Sequence, residues 1–228
     1  MRILIVSATR MEVKLLADEM HFIKEKQPFL ESYRFSGNEI DILITGIGTT
    51  ATTFKLTNAL NMTKYHFVLN TGIAGSLNHK LRIGEVVNVV TEEFADLGVE
   101  KKEKFLTLFE SGFVDENEFP YQDCLLKASC SKYLDNIKKV HGITANKSHS
   151  NIKSIDELKK KFKADVETME GAAVFYVSIS LGIPCCQIRA ISNYVKPAEN
   201  ANWDIPTALE NLQIKTISVL NNINLPQN

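Results

Sequence analysis

The chain has almost no net charge: 26 basic and 27 acidic residues leave −1 at neutral pH. That absence removes the electrostatic footprint of a protein that binds nucleic acid or an anionic membrane, and points to a small-molecule partner. No apolar run approaches the roughly 20 residues that span a bilayer. The N-terminal run ILIVSA is too short for the hydrophobic part of a secretory signal, and Arg10 and Glu12 follow at once, so the expected compartment is the cytoplasm. Cysteine is sparse. Cys185 and Cys186 are adjacent in an apolar strand pattern and serve as small hydrophobes, and Cys124 and Cys130 are too isolated for a metal site. His21, His66, His79, His141 and His149 are scattered, with no H-E-x-x-H pattern and no Cys/His pairing, so neither a metal nor another cofactor is expected. A G-x-S-x-G elbow is also missing, which leaves a serine hydrolase without support. There is no internal repeat and no low-complexity segment.

What is present is a chain of 228 residues with 44% hydrophobic content, enough for one core and read as one domain over 1–228. Its organising stretch is Val166 to Val195. A strand ends at Thr168-Met169-Glu170, a nearly all-apolar helix follows (Ala172, Ala173, Val174, Phe175, Val177, Ile179, Leu181), Gly182-x-Pro184 breaks it, and a second strand runs from Cys185 to Ile191. As a right-handed βαβ unit with parallel strands, this pattern sends Glu170 and the Ser192-Asn193 pair to one carboxyl edge, where α/β sheets bind ligands.

Elsewhere, Ile3 to Ala8 reads as a strand buried on both faces. A helix follows with Val13, Leu15, Leu16 and Met20 as its apolar stripe and Glu12 in its first turn, where the helix dipole favours an acid. Phe29 to Phe35 and Glu39 to Thr45 read as a hairpin. Gly46-Ile47-Gly48 opens a helix to about Met62. It matches the dinucleotide fingerprint in outline, but the strand Tyr65 to Asn70 supplies no acid for a ribose hydroxyl, so the glycines are read as permitting a turn whose amides face the crevice. Asn70 to Ser76 is a second small-residue turn, where Ala74 and Gly75 let a ligand approach the backbone. Ile83 to Val90 is a strand ending in a polar loop. Residues 99–122 are a solvated excursion that could cover the site, 123–140 a helix, 142–145 a short strand, 146–154 a loop, 156–162 an exposed helix and 206–220 a terminal amphipathic helix with a frayed tail.

Two carboxylates and one amide around a small-residue crevice suit cleavage of a sugar–base bond. Carboxylates stabilise an oxocarbenium-like sugar and activate water, while a neutral donor holds the departing base. The order of motifs carries more. ILIVSATRMEV, T-G-I-G, N-T-G-x-A-G, I-G-E-V-V-x-V, E-E-F-A-D-L-G and T-M-E-G-A-A-V…R-A-I-S-N together resemble the nucleoside phosphorylase and nucleosidase superfamily, most closely its futalosine hydrolase branch. The resemblance implies a single-domain three-layer α/β/α fold with a central mixed, largely parallel twisted sheet. It also implies hydrolysis of futalosine to hypoxanthine and dehypoxanthine futalosine, in menaquinone biosynthesis, by a homo-oligomer.

By the same resemblance Glu12 deprotonates the attacking water, Glu170 accepts hydrogen bonds from the ribose hydroxyls and Met169 packs beneath the sugar. Ser192, Ala74, Gly75 and His149 belong to the substrate site, His149 as the residue against the base. Two positions depart from the related methylthioadenosine/S-adenosylhomocysteine nucleosidases. Ile73 replaces a serine, and Asn193 replaces the aspartic acid that protonates N7 of adenine. An amide donates to O6 and accepts from a protonated N7, which fits a 6-oxopurine. The competing readings are such a nucleosidase, a purine nucleoside phosphorylase, which would need cations about the turns where only Arg10 and Arg82 stand, and a nucleotide-binding regulatory module built on the Gly46 turn.

Overall fold

In the computed structural model, which describes residues 1–102, 104–129, 131–197, 199 and 202–223, the N-terminal apolar run forms β1 (Arg2–Ser7). Its side chains enter two cores in alternation because successive strand residues point to opposite faces. Ile3 and Ile5 join Val13 and Leu16 of α1 (Arg10–Asp18) and Leu212, Val219 and Leu220 of α5 (Ile205–Asn222). Leu4 and Val6 face Leu56 and Leu60 of α2 (Thr49–Met62) and Val174, Phe175 and Val177 of α4 (Gly171–Ser180). A strand covered by helices on both faces needs a run without polar residues, and the expected three layers around a mixed sheet are observed.

The other strands of this sheet are β2 (His21–Gln27), β3 (Leu30–Phe35), β4 (Asn38–Ile44), β5 (Phe67–Ser76), β6 (Val86–Phe94), β9 (Leu126–Lys127), β10 (Lys139–Thr144), β11 (Val166–Thr168) and β12 (Cys185–Tyr194). Their order is β11-β10-β6-β12-β5-β1-β4-β3-β2, with β9 on β6. Because β11 also pairs with β5, the strands β11, β10, β6, β12 and β5 close into a ring. The β3–β4 hairpin turns at Ser36 and Gly37, both at positive φ, the geometry of the tight hairpins that match strand twist. Strand β2 is absent from the sequence reading; it is a largely exposed edge strand carrying Lys24, Glu25 and Lys26, and edges are charged to discourage further pairing.

Several expectations are corrected. The strand, helix and strand of the organising stretch form, but β12 runs parallel to β5 and β11 antiparallel to it. β11 and β12 therefore oppose each other on either side of β5, and they are not a parallel crossover. Asn70 to Ser76, expected as a turn, lies inside β5. The strand read over 83–90 starts at Val86 and continues to Phe94, so Glu92 and Glu93 are in β6 rather than in a loop. Residues 123–140 are not a helix: they hold β9, a 3-10 turn at Ser131–Leu134 and the start of β10. Asp123 and Cys124 both sit at positive φ, which no right-handed helix accommodates. Helix α3 (Ile152–Lys161) starts earlier than expected because Asn151 caps it, accepting from the Lys153 and Ser154 amides. Within 99–122, β7 (Gly98–Lys101) and β8 (Lys104–Thr107) pair as a separate hairpin, and Tyr121 is buried with Phe109 and Val114 packed on the α2–α4 core, so the excursion is only partly solvated. Cys130 and the end of the tail, 224–228, lie outside the described residues. Among the described residues no helix is long and apolar enough to cross a membrane.

Candidate active site

The floor of the site is β5, and its glycines are positions of close approach rather than of turning. A Cβ on Gly72 would collide with Arg189 Nη1 and stand 2.6 Å from Glu12 Oε1. One on Gly75 would meet Val195 at 2.9 Å and lie 3.5 Å from Asn193 Nδ2. Two residues, Ile73 and Ala74, lie between the two glycines, which are three strand steps or about 10 Å apart at the usual rise. That span suits a sugar joined to a base, with acids at one end and an amide at the other.

Glu12 enters the acid end from the first turn of α1. Its Oε2 accepts hydrogen bonds from Ser7 Oγ at 3.0 Å, the Thr9 amide at 2.9 Å and Thr9 Oγ1 at 3.1 Å. Its Oε1 accepts from the Ile73 amide at 3.1 Å. The helix start explains the Thr9 contacts but not the reach to Ile73 on β5, which brings the carboxylate over the floor.

Glu170 precedes α4, and its Oε1 accepts from the Gly48 amide at 3.1 Å. Gly48 sits at φ 91°, a region that favours glycine, so the G-I-G turn turns one amide toward a carboxylate at the crevice. Burial pushes the Glu170 carboxyl above its ordinary pKa; Arg189 and the Gly48 amide oppose this, and the nearby Glu12 charge adds to it. Arg189 is the residue that sequence reasoning missed at this end. It is 1% exposed, donates from Nη2 to Asn70 Oδ1 at 2.6 Å and from Nη1 to the Ile73 carbonyl at 3.4 Å, and lies 3.8 Å from Glu170 Oε2. The available signal was the single charged residue of a strand that is buried almost throughout, since a buried charge implies a partner. Arg10 and Arg82, the cations weighed from sequence, are engaged elsewhere, Arg10 with Glu31 and Tyr33 and Arg82 beside Glu85.

At the other end β12 carries a bulge. Its register against β5 slips between Ile191 and Asn193, making Ser192 the extra residue and setting Asn193 opposite Gly75. Ser192 Oγ lies 3.2 Å from the Ala74 carbonyl and 2.9 Å from Asn193 Oδ1, while Asn193 Nδ2 donates to the Tyr194 carbonyl at 3.2 Å. A primary amide has two N–H donors and two lone pairs, so Asn193 keeps one of each.

These groups line one cavity of about 260 Å³, with Glu12, Ala74, Gly75, Met169, Glu170, Ser192 and Asn193 all on its wall. His149 is the expected site residue that is not there. It stands behind Glu167, hydrogen-bonded to it, and faces a separate lysine-rich cavity beside Lys147, Lys153 and Lys161. Glu167 and Trp203 line the main cavity instead. Trp203, the single tryptophan, is 48% exposed at the wall and lies in a loop with no distinguishing pattern. Among the described residues, no three His, Cys, Asp or Glu side chains converge as a metal ion would need.

The fold is that of an α/β enzyme with its cavity at the sheet edge, and the profile of the Phosphorylase superfamily matches residues 2–221; the chain belongs to that superfamily. Within it, the chain is 29% identical to a futalosine hydrolase of Acidothermus cellulolyticus over 185 residues, covering 76% of this chain and 72% of that one. It is 27% identical to a 5'-methylthioadenosine/S-adenosylhomocysteine nucleosidase of Bacillus thuringiensis over 215 residues, 90% of each. The futalosine hydrolase of Helicobacter pylori shares the fold, with a TM-score of 0.74 at 23% identity over 96% of this chain and 95% of that one.

Proposed function

We propose that the chain is an N-glycosyl hydrolase that releases a 6-oxopurine, with futalosine as substrate and hypoxanthine and dehypoxanthine futalosine as products. The observation that carries this reading is the Asn193 amide beside Gly75, with one donor and one acceptor to spare. The donor matches O6 and the acceptor a protonated N7, whereas the amino group of adenine would face a second donor. Relatives named for the two kinds of substrate are about equally similar, so the choice rests on this residue.

In the reaction the base is held at Asn193 and the ribose at Glu170, above Met169. Glu12 takes a proton from water as its oxygen bonds to C1' and the C1'–N9 bond breaks; the departing base takes up a proton from solvent water at N7, and Glu12 later returns its proton to solvent, so one water is consumed. The carboxylates stabilise the positive charge that develops on the sugar. Phosphate is not the nucleophile in this reading: Arg189 donates from Nη2 to Asn70 and from Nη1 to the Ile73 carbonyl, and it is not among the residues that line the cavity. The same reading places the chain in menaquinone biosynthesis in the cytoplasm, as a homo-oligomer that covers such exposed side chains as Phe54, Phe113 and Phe119.

The test is incubation with futalosine, inosine and methylthioadenosine, with and without phosphate, and identification of the base released. Hypoxanthine from futalosine at a rate independent of phosphate is expected. Adenine as the main product would assign a methylthioadenosine nucleosidase, ribose 1-phosphates would assign a phosphorylase, and no release from any of the three would remove the enzyme reading.

A further inference from the structure

Helix α4 is capped by residues other than its own first one. Glu170 occupies the N-cap position, where a side-chain oxygen ordinarily turns back to accept from the second or third helical amide, yet its carboxylate makes no such bond. Two threonines meet the amides instead. Gly171 donates to Thr168 Oγ1 at 3.2 Å, and Ala172, the second helical residue, donates to Thr144 Oγ1 at 2.8 Å. Relieved of capping, the Glu170 carboxylate takes the Gly48 amide, stands beside Arg189 and lines the main cavity.

Thr144 and Thr168 end β10 and β11 and are partners in that ladder, with their hydroxyls 3.0 Å apart. A hydroxyl has one proton and two lone pairs. With one lone pair given to a helix amide, each threonine has its proton left to place, and the Glu92 carboxylate stands where it can accept: Oε2 is 2.9 Å from Thr144 Oγ1 and Oε1 is 3.4 Å from Thr168 Oγ1. Gln187 Nε2 donates to Glu92 Oε1 at 2.7 Å and steadies it. All four side chains are buried. The approach depends on Gly171, because a Cβ there would collide with Glu92 Oε1.

We propose that Thr144 and Thr168 are positioning residues for the sugar-binding acid: by accepting the first two amides of α4 they free Glu170 to face the ribose, and Glu92 fixes the direction of their hydroxyls. This deepens the assignment of Glu170 to the ribose and rests on it. Thr144 is not on the cavity wall, so it acts only through the helix.

The test compares KM for futalosine with KM for its 2'-deoxy form in wild type, Thr144→Val and Thr144→Ser. If methylthioadenosine is the nucleoside cleaved, its ribo and 2'-deoxy forms are compared in the same way, so the test does not depend on the base. Wild type is expected to show a KM about tenfold or more higher for the deoxy form, which leaves a buried acceptor unpaired. In Thr144→Val the Ala172 amide loses its acceptor, Glu170 turns back to supply one, and the ratio of the two KM values should fall about tenfold, toward one. Thr144→Ser keeps the hydroxyl and should keep the wild-type ratio. Thr168→Val removes the other acceptor and is expected to act in the same direction, which serves if Thr144→Val does not fold. A purely structural role would lower stability and leave the ratio alone. Equal KM values for the two forms in wild type would remove Glu170 from the ribose, and this inference with it. A wild-type ratio that survives in the valine variants, or is lost in Thr144→Ser as well, overturns the positioning role alone.

Discussion

Arg189 Nη1 stands 3.8 Å from Glu170 Oε2, and both side chains are nearly sealed from solvent. Neither charge tolerates that environment alone, so the acid proposed to hold the ribose is also the counter-charge of the sheet's buried cation. Support and chemistry share one carboxylate.

Breaking such a pair costs about 3–5 kcal/mol because the surviving charge is left uncompensated. Glu170→Ala is expected to lose stability on that scale in urea unfolding. The double variant Glu170→Gln/Arg189→Met should lose at least about 1 kcal/mol less than the sum of its single changes. Additivity would mean that the two groups do not support each other. If Glu170 holds the ribose as proposed, the variants should lose binding of the ribonucleoside more than that of its 2'-deoxy form.

Replacing Glu12 by Gln preserves shape and removes basicity. Loss of a general base lowers turnover on the order of 10²–10⁴-fold, and kcat for futalosine should fall by that much. Nucleoside binding, read from Trp203 fluorescence, should change by less than about tenfold. Near-normal turnover would return Glu12 to the role of a helix-start acid bonded to Thr9.

Asn193→Asp exchanges an amide for a group that can protonate N7 but cannot donate to O6 while ionised. The ratio of kcat/KM for futalosine to that for its 6-amino counterpart should drop roughly 5- to 150-fold, the scale of one unpaired buried polar group. An equal slowing of both substrates would show that Asn193 only closes the bulge with Ser192.

Glu92, inside β6, is fully buried, accepting from Gln187 Nε2 at 2.7 Å and Thr144 Oγ1 at 2.9 Å. Burial pushes its carboxyl up to about 7, against the lowering effect of Gln187, Thr144, Arg189 and Thr168. The unfolded chain releases this proton near pH 4.3, so between there and about pH 7 the folded state binds more protons and stability falls as pH rises. Glu93, also pushed up to about 7 by burial, adds to the slope. Glu92→Gln should therefore gain on wild type by about 1–3 kcal/mol from pH 5 to pH 8 in urea unfolding. A constant difference between the two proteins over that range would show that Glu92 ionises freely in the fold.

The sequence by itself determined which segments are buried between layers, because burial leaves traces in the local pattern: the apolar run Ile3 to Val6 in β1 and the nearly all-apolar helix α4. It also marked Glu12, Glu170 and Asn193, since a carboxylate or amide at the end of an apolar element is locally visible. It misread the direction of β11 against β12, because alternation records which face of a strand is buried and not which way the strand runs. It took Gly72 and Gly75 for turn formers because glycine serves both a bent backbone and a close approach, and only the Arg189, Glu12 and Asn193 side chains packed against them separate the two uses. The Glu170–Gly48 bond, the Arg189–Glu170 pair and the Glu167–His149 contact were decided in three dimensions alone. Their partners come from different elements, and nothing in the local pattern of either strand or loop encodes which distant donor will arrive.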